Sequence, residues 1–475
     1  MKIGIVASEA IPFSKTGGLA DVTGSLFKVF NDLGNETSLF LPCYKETKAK
    51  IKELTNAGNI KVKIKNEDVE GKILFKEISK GKNIFLIEQK NYYDRDYLYG
   101  TKEGDYPDNA LRFGFFDLAV IESIRLLGLN FDVLHLNDWQ TGLIPLFLNQ
   151  KDTSIKTLFT IHNLAYQGNF PEKTLESLNI NKEYFNSEGI EFYGKVSFIK
   201  AGIIYSDFIS TVSPTYAKEI LTEEFGERLG GVLKTRQDRL VGITNGIDYK
   251  IWDSKLDNYI FRNYDTNSLH LKEENKENLG ELFGIDFKEK PLFGMVSRIA
   301  TQKGFDILIE ALKKFLQEDV GIVILGTGEK TLEESLHGIE SKHPSKIKII
   351  LGFDEALAHK IYASSDFFLM PSKYEPCGLG QLIALKYGAI PIVHETGGLK
   401  DTIDNFNDYT HCGNGLSFSE YSPKDLLDKM YKALEVYKKP DIFDRIKRVA
   451  MSCNFSWENS AIRYINLFER MTEKK

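Results

Sequence analysis

The sequence has no excess of basic residues. Its 61 Lys and Arg against 67 Asp and Glu leave a net charge of −6. That excludes a broad nucleic-acid or anionic-membrane footprint, so any anionic ligand must be held by a few local cations. Cysteine is scarce. Cys43, Cys377, Cys412 and Cys453 form no CxxC pair, which argues against disulfides and zinc ligation and fits reduced thiols in a reducing compartment. No apolar run approaches the length of a membrane span. The opening MKIGIVAS carries one lysine and an apolar core too short for a secretory signal but suited to a buried strand, so a cytoplasmic protein is expected. Also missing are a GK[ST] phosphate loop and a GxGxxG fingerprint, which counts against ATPase and dinucleotide chemistry. No Ser-His-Asp order, metal-ligand spacing or low-complexity tract is evident.

What is present is an alternation of short apolar strands and amphipathic helices through 475 residues, more than one core supports. KIGIVAS, FDVLHLND, IKTLFTIHN and DFISTVS read as strands, with a helix over 19–33 that ends at Gly34-Asn35. Residues 60–90 break the pattern. Their alternating lysines and apolar residues predict an antiparallel hairpin with a solvated basic face. After VGITNGIDYKIW the alternation restarts with KPLFGMVS, VGIVILGTG, IKIILG, FFLMPS and AIPIVHE. Phe305, Leu308, Ile309, Leu312, Phe315 and Leu316 share one helical face. The chain therefore reads as α/β, with two doubly wound units joined near 243–248. The final FSWENSAIRYINLFERM is an amphipathic helix with two possible seats, on the second unit or back on the first.

The hexapeptide TGGLxD occurs twice, at SKTGGLADV and ETGGLKDT, each time between a strand and a helix. Glycines there admit close backbone approach, and a helix start offers free N–H groups and positive potential, so each copy is expected to cradle an anion. SRIATQKG places Arg298 and Lys303 after a strand, where open α/β sheets bind ligands, and the pair suits a diphosphate. MPSKYEPCGLGQL puts Glu375 in a loop before a helix start near Gly380. His162-Asn163 ends one strand, and His135 and Asp138 end its neighbour, which predicts a polar cluster on one sheet edge. Asp94 and Asp96 in YDRD mimic a metal-binding DxD but lack a strand-end context, and no metal is expected.

These stretches, together with DNALRF, LNDWQTGL, TIHNLAYQG, VSPTYAKEI, TNGIDYKIW and FSWENSA, stand in the order seen in bacterial glycogen synthases and plant starch synthases. The chain resembles that family from Lys2 to about Met471. The resemblance implies the GT-B glycosyltransferase fold: two Rossmann-like doubly wound domains facing a cleft, with an acceptor-side domain at 1–245, a nucleotide-sugar domain at 246–456, and helix 457–475 returning to the first. It implies retaining transfer of glucose from ADP-glucose to the non-reducing end of an α-1,4-glucan, with no metal or cofactor and no nucleic-acid or membrane partner. By motif matching, His162, Arg298, Lys303 and Glu375 are the catalytic candidates. Lys15, Gly18, Asp138, Phe353, Gly378, Leu379 and Gly380 are the donor-binding ones. On this reading the two hexapeptides arm opposite walls of one cleft.

Three departures from the family pattern stand out: Glu227-Arg228 before GGVL, Gly380 in place of a small hydroxyl residue, and His394 in place of arginine. The alternatives are a UDP-glucose-using enzyme of the same fold, a pyridoxal-phosphate-dependent glucan phosphorylase, and a non-catalytic glucan-binding protein. Sequence leaves the oligomeric state open.

Overall fold

The computed structural model describes residues 1–150 and 154–473. The chain divides into two compact units. The first comprises Met1–Val212, Ala217–Ile243 and the chain from Trp457 on; the second comprises Ser213–Tyr216 and Thr244–Ser456.

The first unit is built on a nine-stranded sheet. In chain order its strands are β1 (Lys2–Val6), β2 (Glu36–Pro42), β3 (Thr55–Ile64), β4 (Glu67–Ser79), β5 (Lys82–Glu88), β6 (Val133–Asn137), β7 (Lys156–Ile161), β8 (Phe208–Thr211) and β9 (Leu240–Gly242). They lie in the order β9-β8-β7-β6-β1-β2-β5-β4-β3. All pairings are parallel except those of β4, which runs antiparallel to both β3 and β5. The basic hairpin is thus an extension of the main sheet. Ile60, Val62 and Ile64 are buried while Lys61 and Lys63 are exposed, and Lys61 pairs with Glu70 at 3.0 Å. Period-two alternation produces this one-sided face, and the lysines are solvated.

The helix Gly18–Asp32 follows β1 and buries Leu19, Val22, Leu26, Phe27 and Phe30. It ends where Gly34 turns left-handed, at φ +87°. Gly34 N–H bonds Asn31 O at 2.9 Å and Asn35 N–H bonds Phe30 O at 3.0 Å, the paired closure that satisfies last-turn carbonyls. The helix Trp457–Thr472 packs against this helix. Tyr464 and Phe468 set their rings edge-on to Phe30, at 6.2 and 5.7 Å between centroids. Residues 474–475 of the expected 457–475 span lie outside the described residues.

The second unit holds a six-stranded parallel sheet: β10 (Leu292–Val296), β11 (Gly321–Gly326), β12 (Ile347–Leu351), β13 (Phe367–Met370), β14 (Ile390–His394) and β15 (Leu416–Phe418), in the order β12-β11-β10-β13-β14-β15. Its apolar strands are covered on both faces, as a parallel sheet requires. One cover is the helix Phe305–Phe315, whose Phe305, Leu308, Ile309, Leu312 and Phe315 are buried. The strand order reverses between β10 and β13, and in the first unit at β1, which lies between β6 and β2. Loops at such a reversal diverge and leave room for a ligand.

Phe468 is fully buried, and truncating such a side chain removes both apolar contact and packing volume. Phe468→Ala is expected to cost about 3–5 kcal/mol, read as a lower denaturation midpoint in guanidinium.

Candidate active site

In the first unit the loops after β1, β6 and β7 carry the expected residues. Asp138 follows β6 in a left-handed conformation, φ 58°, rare for a residue with a side chain. It is buried, and its Oδ1 accepts the His162 N–H at 2.8 Å. Burial pushes its carboxyl up to about 7, against the pull of backbone N–H donors from His162 and Asn163. His162 follows β7, and its Nε2 meets Asn137 Oδ1 at 2.9 Å. The Asn137 amide nitrogen already donates to Val6 O and His135 O, so its oxygen is an acceptor and Nε2 must carry the hydrogen. Burial pushes this imidazole down to about 3, so it is neutral at ordinary pH. His162 therefore presents Nδ1 as an acceptor, suited to a sugar hydroxyl and not to a phosphate.

His135 does not join this cluster. Two residues before the strand end, its ring is buried 5.1 Å from the Tyr464 ring, with Nε2 2.7 Å from Thr160 Oγ1. The expected polar edge consists of Asp138 and His162 without it.

Lys15 projects from the turn after β1 and pairs with Asp21 at 2.8 Å. A Cβ added at Gly17 or Gly18 would meet nothing within 4 Å, so the protein's own packing does not demand glycine at either position. The N–H groups of Thr16 and Gly17 point to a buried carboxylate, Glu9, which sequence inspection had not singled out.

In the second unit the loops after β10 and β13 meet. Lys303 Nζ lies 2.6 Å from Glu375 Oε2, which also accepts from Ser372 Oγ at 3.0 Å. Glu375 is 5% exposed, so its charge is held largely by these two donors. Arg298 lies on the same loop as Lys303, its Nη2 donating to Gln302 Oε1 at 3.0 Å, and Lys373 N–H bonds Gln302 O at 2.9 Å. Gly378 sits at φ +75°. Gly380 opens the helix Gly380–Lys386, and a Cβ there would meet Met370 Sδ at 3.1 Å, so packing favours glycine where the family pattern has a hydroxyl. Leu379 is half-buried just before it. Phe353, after β12, is 87% exposed and offers a free aromatic face. His394 donates from Nδ1 to the Ser372 carbonyl at 2.8 Å, behind the Glu375 loop.

The second TGGL copy corrects an expectation. A Cβ at Gly397 would lie 1.9 Å from Glu375 O and one at Gly398 2.2 Å from Cys377 O. Gly398 N–H bonds the carbonyls of Glu375 and Pro376 at 3.1 and 3.2 Å. This copy is thus filled by the Glu375 loop and serves as its seat, not as an anion cradle. Two hydroxyls that sequence reasoning missed complete the seat. Ser213 Oγ donates to Pro376 O at 2.7 Å, and Asp401, the last letter of the motif, accepts from Thr215 N and Oγ1. Asp96 is tied to Lys45 at 2.7 Å, and among the described residues no three His, Cys, Asp or Glu side chains form a metal-binding group.

Two doubly wound units, each with polar side chains at a strand-order reversal, define the class as a GT-B glycosyltransferase. Residues 2–235 match the family described as starch synthase catalytic domain, and residues 283–449 match glycosyl transferases group 1. A glycogen synthase of Thermodesulfovibrio yellowstonii is 44% identical over 98% of this chain and 97% of its own. One of Bacillus anthracis is 42% identical over the full length of both. The catalytic domain of starch synthase IV from Arabidopsis thaliana, solved bound to ADP and acarbose, superposes with a TM-score of 0.89 at 30% identity, covering 100% of this chain and 99% of that one. The chain belongs to the glycogen and starch synthase family.

Three outcomes test this geometry. Gly398→Ala must push the Cys377 backbone aside and is expected to lower the melting temperature. Gly17→Ala, at an extended φ of −153° with open space around it, is expected to leave stability unchanged or raise it by up to about 1 kcal/mol. The raised Asp138 carboxyl makes the folded state bind more protons than the unfolded one between its ordinary value near 4 and about 7. Its contribution to stability is therefore full at low pH and is lost as pH rises through 7. Asp138→Asn should flatten that part of the pH–stability curve measured by denaturant titration.

Proposed function

We propose that this protein transfers glucose from ADP-glucose to the non-reducing end of an α-1,4-glucan, with retention of configuration. The observation that carries the reading is the Lys303–Glu375–Ser372 cluster at the strand-order reversal of a starch-synthase-like chain. Breaking the glycosidic bond adds negative charge to the β-phosphate of the leaving diphosphate and oxocarbenium character to the glucose. Lys15, Arg298 and Lys303 are the cations we assign to the first charge, and Glu375 is the anion we assign to the second. His162 Nδ1, Asp138 and the 378–380 backbone are assigned to the sugar and phosphate, and Phe353 to the nucleobase. Retention fits attack by the acceptor 4-hydroxyl on the face the diphosphate leaves, with the departing phosphate taking the proton. No carboxylate here is assigned as a nucleophile.

The ADP named with the Arabidopsis enzyme supports the adenine nucleotide over UDP-glucose. Transfer of labelled glucose into glycogen, assayed with both donors, tests this directly. A strong UDP-glucose preference would reverse the donor assignment. Lys303→Ala or Arg298→Ala is expected to cut turnover by roughly 10²–10³, the usual cost of losing one oriented group at a developing charge. Near-normal rates in either variant would remove that residue from the site.

A further inference from the structure

Glu9 and Tyr99 belong to no motif with an assigned role, yet they close a network around the Lys15 turn. Glu9 is 3% exposed. Its carboxylate accepts from the Thr16 N–H, from Thr16 Oγ1 at 3.0 Å, from Gly17 N–H at 3.3 Å and from Tyr99 OH at 3.0 Å. The Glu9 carbonyl in turn accepts from Thr23 Oγ1 at 2.6 Å, on the helix that follows the turn. The turn's leading N–H groups are thus held by an internal anion, which fixes the direction in which Lys15 and Gly18 leave it.

Tyr99 is held by the DNALRF stretch. Asn109 Nδ2 donates to the Tyr99 carbonyl at 2.9 Å. Arg112, fully buried at the start of the helix Asn109–Leu126, donates to Asn109 Oδ1, Leu98 O and Tyr92 O at 2.6, 2.8 and 2.7 Å. A buried guanidinium with no carboxylate partner among these bonds is an expensive way to fix a loop. Its effect here is to set the segment that delivers Tyr99 to Glu9.

We infer that Glu9, with Tyr99 supported by Asn109 and Arg112, is a positioning residue that presents the Lys15–Gly18 turn to the nucleotide-sugar donor. The inference rests on the donor assignment proposed above. Glu9 touches no reacting atom on this account; it acts through the turn. Glu9→Gln keeps the shape but replaces one acceptor oxygen by a donor that faces the Thr16, Gly17 or Tyr99 hydrogens.

The test measures initial rates with ADP-glucose and glycogen varied separately, ADP binding by calorimetry, and hydrogen exchange of the peptide spanning Thr16 and Gly17. For Glu9→Gln the donor KM and the ADP Kd are expected to rise about 10- to 100-fold, with the glycogen KM within about twofold of the parent. Tyr99→Phe and Thr16→Val, which each remove one neutral hydroxyl, should raise donor KM about 2- to 10-fold, and Thr16→Ser should restore it. If Glu9→Gln fails to fold, Tyr99→Phe and Thr16→Val decide. Donor KM within twofold of the parent in these variants, or a fall in kcat at unchanged KM, would overturn the inference. Failure of the functional reading shows separately, as a parent enzyme that neither turns over ADP-glucose nor binds ADP. The exchange measurement still reports on the turn in that case: faster exchange in Glu9→Gln supports the anchor, and unchanged exchange refutes it.

Discussion

The carboxyl edge of the second sheet depends on backbone meeting backbone at Gly397 and Gly398. Their missing side chains let the Glu375–Cys377 carbonyls descend onto a helix start. That contact fixes where the Glu375 carboxylate stands. From there the Lys303 ammonium and the Ser372 hydroxyl are within bonding distance, and His394 supports the Ser372 carbonyl from behind. A side chain at either glycine would displace the loop before it touched any charge. The chemistry of the edge is electrostatic, but its placement is steric.

The two TGGLxD copies show one local solution put to two uses. In both, backbone N–H groups at the entry to a helix find acceptors inside the protein. In the first copy Thr16 and Gly17, just before the helix, meet a buried carboxylate, Glu9; in the second Gly398, within the first helical turn, meets main-chain carbonyls. Their terminal aspartates differ in the same way: Asp21 balances Lys15, while Asp401 binds the backbone and hydroxyl of Thr215. Repetition of the motif reports a repeated backbone problem and not a repeated ligand.

Much of the fold was legible because parallel strands buried on both faces are written as continuous apolar runs, and because Gly34 marks a helix end without ambiguity. Arg298, Lys303 and Glu375 were legible because they follow such runs directly. The partners were not. Glu9 lies seven residues before Thr16 in a loop with no periodicity, and its carboxylate also bonds Tyr99, brought in from ninety residues away. Ser372 and Ser213 look like ordinary loop serines until the strand ends are assembled. His135 was misplaced because it lies two residues before the end of its strand, where its ring is buried against Tyr464 and Phe468, whereas Asp138 follows the strand end.

The helix Trp457–Thr472 completes the hydrophobic core of a unit whose first strand is Lys2–Val6. A ribosome therefore releases the second unit's residues before it supplies the last piece of the first. Phe30 must wait through the synthesis of more than four hundred residues for the rings of Tyr464 and Phe468. Domains that fold as they emerge usually do so from the amino terminus onward. Here the first unit's core is complete only after the second unit's residues have been made, and until then the nascent amino-terminal half leaves uncovered the Phe30 surface that Tyr464 and Phe468 later close.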